Sequence, residues 1–259
     1  MTEAPPILIS LTSFGAAEVM RHGQRYFAEL SREAGADGVE VRGELLAASG
    51  RSAELAALCA TGNVKVYSEP EGLWTVDGAL NTSALHRALD ITAQLGAARV
   101  KMSIGGFAAG SVASLDDLKT VLADAACELV IENDQTASAG TLGALRTFFA
   151  AADAAALALP MTFDLGNWHY LGECPLAAAA AFGSRVAYVH TKGVHRRPDK
   201  WVAVPLAESA APWRAVLRGL PADVPWAIEY PLIGDDLTAV TRREVEVLRA
   251  AARLQKETA

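Results

Sequence analysis

Four residues in this chain of 259 stand where packing alone does not explain a carboxylate or an imidazole. Glu132 follows Leu129-Val130-Ile131, and Asp164 follows Met161-Thr162-Phe163. His190 follows Ala187-Tyr188-Val189, and Glu229 follows Trp226-Ala227-Ile228. Each closes a short apolar run, where a charge is costly unless it is paired or bound to a cation. Brought together, three carboxylates and one imidazole make a donor set for one divalent ion. The oxygen excess favours Mn2+ or Mg2+, with Co2+ or Zn2+ as alternatives. Simple charge addition leaves one carboxylate uncompensated, and Lys192 and Arg196 lie close behind His190 to offset it.

For four such residues to meet, the runs that carry them must point the same way. Eight runs rich in Val and Ile read as strands: 7–14, 38–43, 63–70, 99–105, 128–134, 161–167, 186–192 and 225–231. Helical segments rich in Ala, Leu, Arg and Glu separate them. In AAEVMRHGQRYFAELSREAG, the residues Val19, Tyr26, Phe27 and Leu30 fall near helical spacing. Thr82 or Ser83 is placed to cap one helix, and Ser114, with Asp117 three residues on, another. Gly35, Gly62 and Gly96 sit where helices should stop. Strands joined through helices run parallel and are buried on both faces, which accounts for their apolar composition. Eight such units predict an α/β fold, the (β/α)8 TIM barrel, as a single domain over residues 1–259. An open doubly wound sheet is the rival, but no G-x-G-x-x-G follows the first run. Gly105-Gly106 is a turn signal only.

In such a barrel the C-terminal strand ends share one mouth. The tips add Glu40 and Arg42, Glu69 and Glu71, Lys101 and Ser103, Asn133 and Asp134, Asn167 and His169, and Lys192. Of these, Glu40, Arg42 and Asn133 are expected either to support the metal-type residues from behind or to position substrate, and Asn167, His169 and Lys192, together with Arg196, to contact it. Other polar and aromatic residues have plainer readings. His22 and His86 lie in helices as surface residues, and His195-Arg196-Arg197 reads as a short solvated basic loop. Trp74 either lines a pocket or pins a long loop. Phe148, Phe149, Trp201 and Trp213 read as packing.

The formal charge of -7 and a pI near 5.3 speak against a nucleic-acid partner. Cys59, Cys127 and Cys174 are odd in number and far apart. They read as small buried hydrophobes of a reducing compartment rather than a disulfide frame. The N-terminal stretch lacks a basic segment before a long apolar one, so no signal peptide is expected. The Ala-rich run 150–159 contains Asp153 and is too short to cross a bilayer. Together these readings predict a soluble, cytoplasmic protein with no membrane partner.

The succession GADGVEVRGELL, LVIENDQ, TFDLGNWHYLGECP, YVHTKGV and AIEYP resembles the xylose isomerase-like TIM-barrel superfamily over nearly the whole chain. That superfamily includes sugar phosphate isomerases/epimerases, ketose 3-epimerases, hydroxypyruvate isomerase, inosose dehydratase and endonuclease IV. The resemblance implies that Glu132, Asp164, His190 and Glu229 bind one divalent metal and that the substrate is a small carbohydrate. A homodimer or homotetramer is also implied. Glu132 and Glu229 are then the expected catalytic pair, passing a proton through a metal-stabilised enediolate in an isomerase or epimerase of a small sugar or sugar acid. The same scaffold serves two alternatives. One is a lyase (dehydratase, decarboxylase or C-glycoside-cleaving enzyme), and the other is a non-catalytic sugar-binding subunit. Two departures are visible. Ketose 3-epimerases carry a His three residues after the metal Asp, where this chain has Asn167, although Arg196 matches their Arg six residues beyond the metal His. The chain's five histidines are too few for the zinc cluster of endonuclease IV.

Overall fold

Each of the eight apolar runs contributes one strand to a closed parallel barrel. The computed structural model describes residues 5–47 and 49–258, with backbone alone at 257 and 258. In chain order the strands are β1 (Ile7–Ser10), β2 (Gly38–Arg42), β3 (Val64–Ser68), β4 (Arg99–Ser103), β5 (Glu128–Glu132), β6 (Met161–Asp164), β7 (Val186–Thr191), β8 (Gly193–Arg196), β9 (Trp201–Val204) and β10 (Trp226–Ile228). The barrel closes in the order β1-β10-β7-β6-β5-β4-β3-β2, a (β/α)8 arrangement, and β8 and β9 form a separate antiparallel hairpin. The helices are α1 (Ala16–His22), α2 (Gln24–Glu33), α3 (Arg51–Cys59), α4 (Thr82–Leu95), α5 (Leu115–Ala123), α6 (Leu142–Ala154), α7 (Asn167–Tyr170), α8 (Pro175–Phe182), α9 (Trp213–Leu217) and α10 (Leu237–Thr258). Among the described residues, no helix is long and apolar enough to cross a membrane.

The period of two along each strand divides the core in two. One set of residues, including Ile7, Ile9, Val39, Val41, Met102, Ile131 and Phe163, packs against the helices in one large cluster. The alternate set points into the barrel. There Leu8, Val66, Tyr188 and Ala227 form a small separate cluster. Two residues further along those same strands come Ser10, Ser68, His190 and Glu229. The barrel is therefore plugged by apolar side chains below and lined by polar ones at the C-terminal mouth.

Several local expectations are corrected. The first helical segment is two helices, broken at Gly23, whose φ of 79° suits only a residue without a Cβ. Tyr26, expected on its buried face, is 51 % exposed. The first strand ends at Ser10 because Leu11–Phe14 coils into a 3-10 turn. The cap of α4 is Asn81, whose side chain accepts from the Ala84 amide at 3.2 Å, rather than Thr82 or Ser83. Ser114 precedes α5 but makes no cap bond; its hydroxyl serves Trp74 and the Ser111 carbonyl instead. Cys59 and Cys174 are exposed, not buried. Cys59 ends α3 one position past the buried Leu58, and Cys174 precedes α8 in a connection. Gly35, Gly62 and Gly96 do follow helices in the left-handed region.

The loop between β3 and α4 lies across the loop after β4. Trp74 donates from Nε1 to Ser114 Oγ at 2.9 Å and sets its ring edge against Phe107 and Phe148. Trp74 is 2 % exposed, so it pins the loop rather than lining a pocket. The Gly105-Gly106 pair is explained by this crossing, because a Cβ on either would strike the Trp74 or Thr75 carbonyl.

Candidate metal centre at the barrel mouth

Glu132 ends β5, Asp164 ends β6, His190 lies one residue before the end of β7, and Glu229 follows β10 directly. One ligand atom from each lies within 4.8 Å of the other three. Asp164 and His190 are fully buried, while the Glu132 and Glu229 side chains are 15 % and 10 % exposed. His190 directs Nδ1 at Glu229 Oε2 (2.9 Å), Glu132 Oε1 (3.1 Å) and Asp164 Oδ2 (3.8 Å). Its Nε2 lies 2.8 Å from Glu40 Oε2. The ring therefore offers one nitrogen to the three carboxylates while a fourth, fully buried carboxylate holds the other. A carboxylate behind a ligating imidazole fixes ring orientation and tautomer, as outer partners of metal-bound histidines do.

Three cations neutralise most of this charge. Lys101, on β4 and 1 % exposed, places Nζ 2.8 Å from Glu132 Oε2 and 3.3 Å from Glu40 Oε1. Arg42, on β2, donates from Nη1 to Glu229 Oε1 at 2.7 Å and to Glu40 Oε1 at 3.1 Å. Lys192, just past β7, reaches Asp164 Oδ2 at 2.8 Å and Glu229 Oε2 at 2.7 Å. Burial works against the charged form of every one of these groups. Among the carboxylates, burial alone would raise Glu229, but His190 and Lys192 outweigh it and hold it well below the usual range. Glu132 is lowered against burial by Lys101 and His190, and Glu40 by His190 and Lys101. For His190, burial lowers the pKa, but Glu229 and Glu40 lift it well above an ordinary histidine. Lys101 and Lys192 are likewise raised by their carboxylates against burial.

The loop after β6 holds Asp164 from behind. Asp164 Oδ1 accepts the Gly166 and Asn167 amides at 2.7 and 3.0 Å, so Oδ2 faces the group. Asn133 spans β5 and β6, accepting the Asp164 amide at 2.8 Å and donating to its carbonyl at 3.1 Å. Asn167 donates to the Asn133 carbonyl at 2.8 Å and accepts from Lys192 Nζ at 3.1 Å. Asn133 and Asn167 are buried, and neither carries a charge the interior would have to balance.

Of the residues expected to position substrate, Glu40, Arg42, Asn133, Asn167 and Lys192 are thus brought into one network. His169 and Arg196 are not. His169 sits half-buried on α7 with its ring 5.2 Å from Trp201, and its Nε2 is buried with no hydrogen-bond partner among the described residues. Arg196 is exposed on the β8–β9 hairpin, its guanidinium 5.5 Å over the Trp201 ring. Two further strand-tip residues belong elsewhere. Glu69 accepts from Tyr67 Oη at 2.9 Å and Arg87 at 2.8 Å, and Glu71 accepts from Arg87 at 2.7 Å, an ion-pair cluster that secures the β3–α4 loop.

Two residues of the network carried no functional assignment in the sequence. Lys101 had a visible signal, since a lysine inside the apolar run RVKMS demands a buried partner. Tyr170 had none. It is half-buried at the end of α7, within electrostatic reach of Lys192, Asp164 and Glu229, and burial chiefly raises its pKa.

The fold and the site define a closed (β/α)8 barrel whose mouth carries a Glu/Asp/His/Glu group that could hold a metal ion. A family model of the xylose isomerase-like TIM barrel matches residues 28–251, and the chain belongs to that family. No curated protein matches it. The probable 3-DHS dehydratase AsbF of Bacillus anthracis is similar in structure, with TM-score 0.67 and 13% identity over 94% of this chain and 98% of that one. An L-ribulose 3-epimerase is similar at TM-score 0.68 and 14% identity, covering 98% of this chain and 96% of its own. The 3-keto-D-glucoside 4-epimerase YcjR of E. coli is similar at TM-score 0.65 and 16% identity, covering 95% and 99%. At these identities the likeness establishes the fold alone.

Proposed function

We propose that this chain is a divalent-metal-dependent isomerase or epimerase of a small sugar or sugar acid, acting as one barrel domain over residues 1–259. The observation that carries the reading is the convergence of Glu132, Asp164, His190 and Glu229 within 4.8 Å. Mn2+ or Mg2+ best suits three carboxylates and one imidazole. Held there, such an ion would supply Lewis acidity, drawing electron density from a sugar carbonyl so that the adjacent C–H proton leaves more readily.

The chain's own residues do the proton work. Glu132 and Glu229 are kept ionised by Lys101, Lys192 and His190, and they flank the same imidazole nitrogen at 3.1 and 2.9 Å. One removes the proton, and the other, or the same one, returns it. Return to the opposite face of the same carbon is epimerisation, and return to the neighbouring carbon is isomerisation. When Glu132 takes up a proton, Lys101 loses one anionic partner but keeps Glu40 at 3.3 Å. The buried ammonium thus has a counter-charge throughout the cycle. Glu40 and Asn133 hold His190 and Asp164 in place, and Lys192 and Asn167 face the substrate from the β6–β7 side.

The test is proton exchange. The Mn2+-loaded protein is incubated in heavy water with a panel of ketoses and keto acids. Deuterium entering the carbon next to a carbonyl, with an isomeric product, is the expected result. Release of water instead makes the chain a lyase on the same residues. Absence of exchange in every member, at full metal occupancy, contradicts a catalytic role.

A further inference from the structure

We infer that the substrate of this site is an anion, the carboxylate of a small sugar acid, received by the ammonium of Lys192. The inference rests on the metal reading just proposed and narrows it. Its first ground is charge. The buried part of the mouth holds four carboxylates, Glu40, Glu132, Asp164 and Glu229, against three fixed cations, Lys101, Lys192 and Arg42. With His190 counted as neutral, as a metal ligand must be, one negative charge is left over. A divalent ion with a neutral His190 turns that into one surplus positive charge, inside walls where an unpaired charge is expensive. A neutral polyol leaves the surplus standing, whereas a carboxylate cancels it. Glu44 also meets Arg42, but it lies 36 % exposed at the rim, where water screens it.

The second ground is geometry. Lys192 bridges Asp164 Oδ2 and Glu229 Oε2, two of the carboxylates that a metal ion would draw upon. Its stem packs over Gly166, where a Cβ would come within 2.8 Å of Lys192 Cγ. Asn167 Oδ1 steadies the ammonium at 3.1 Å, and the side chain keeps 10 % of its surface open to the mouth. Once Asp164 and Glu229 share their charge with a metal, Lys192 has lost both of its anionic partners to that sharing, whereas Arg42 keeps Glu40 and Glu44. Lys101 stays sealed at 1 % exposure, with Glu40 and Glu132.

Equilibrium binding to the Mn2+-saturated protein tests this without turnover. Two matched pairs serve as probes, D-glycerate with glycerol and D-gluconate with D-glucitol. Uptake of Mn2+ is measured first; a protein that takes up none overturns the metal reading and this inference with it. With Mn2+ bound, at least one acid is expected to bind about tenfold to a hundredfold more tightly than its alcohol. Lys192→Met should reduce that preference at least about tenfold while still binding Mn2+. Equal affinity within both pairs overturns the inference and leaves the metal reading standing. So does a preference that survives intact in Lys192→Met, because the carboxylate would then be read by the metal rather than by the lysine.

Discussion

The two levels of the barrel interior differ by one step of two residues. Leu8, Val66, Tyr188 and Ala227 form the apolar plug, and Ser10, Ser68, His190 and Glu229 follow them on the same strands. Backbone direction is shared, yet the lower level is apolar and the upper level gathers charge at His190 and Glu229. The lesson is a division of labour along each strand. The plug fills a barrel whose strand number and shear set the spacing of the side chains above it. The mouth supplies the chemistry and costs stability, because seven ionisable groups besides His190 are held there at low exposure.

Substitutions should separate the two levels cleanly. The largest effect is expected from Glu229→Gln, which keeps shape and removes the ionised base. Turnover should fall about 100- to 10,000-fold, out of proportion to the stability lost when Arg42, His190 and Lys192 give up an ionised partner. Steady-state kinetics beside a denaturant melt would show it, and unchanged turnover would remove Glu229 from the catalytic pair. Tyr188→Ala should do the reverse. Tyr188 is fully buried in the plug, and its truncation is expected to cost about 3–5 kcal/mol of unfolding free energy. A variant that melts like the parent would show that the plug does not carry the barrel. Asn133→Ala stands between the levels. It strips Asp164 of two backbone partners and should cost about 1–3 kcal/mol together with weaker metal binding. Loss of stability alone would make Asn133 purely structural. The smallest effect belongs to Arg196→Ala. This exposed residue rests on Trp201, so catalytic efficiency should change by less than about threefold, within the spread of ordinary surface substitutions. A larger fall would mean that the hairpin closes over the substrate.

The same comparison explains what was legible in the sequence. Glu132, Asp164, His190 and Glu229 stood out because each ends an apolar run, and strand period places such residues on one face. All eight barrel strands were visible for the same reason. Glu40 was expected to support the metal-type residues or position substrate, but its pairing with His190 was not legible. It lies behind His190, 150 residues away in sequence, and only closure of the barrel brings β2 and β7 into register around one interior. Lys101 was visible as a charge out of place but not as the partner of both Glu40 and Glu132. The β8–β9 hairpin was passed over as a basic loop. Alternation in GVHR and WVAV around Pro198-Asp199 carried a hairpin signal that the cluster His195-Arg196-Arg197 obscured. Arg196 was assigned by the resemblance, six residues beyond His190, and on the hairpin it lies exposed over Trp201.

The most direct test of the central claim is metal stoichiometry. Purified protein is titrated with Mn2+ and its bound ion counted, alongside His190→Ala and Asp164→Asn. One ion per chain in the parent, lost or weakened at least about tenfold in both variants, is the expected result. A parent that binds no ion, or variants that bind it as tightly as the parent, would contradict the account.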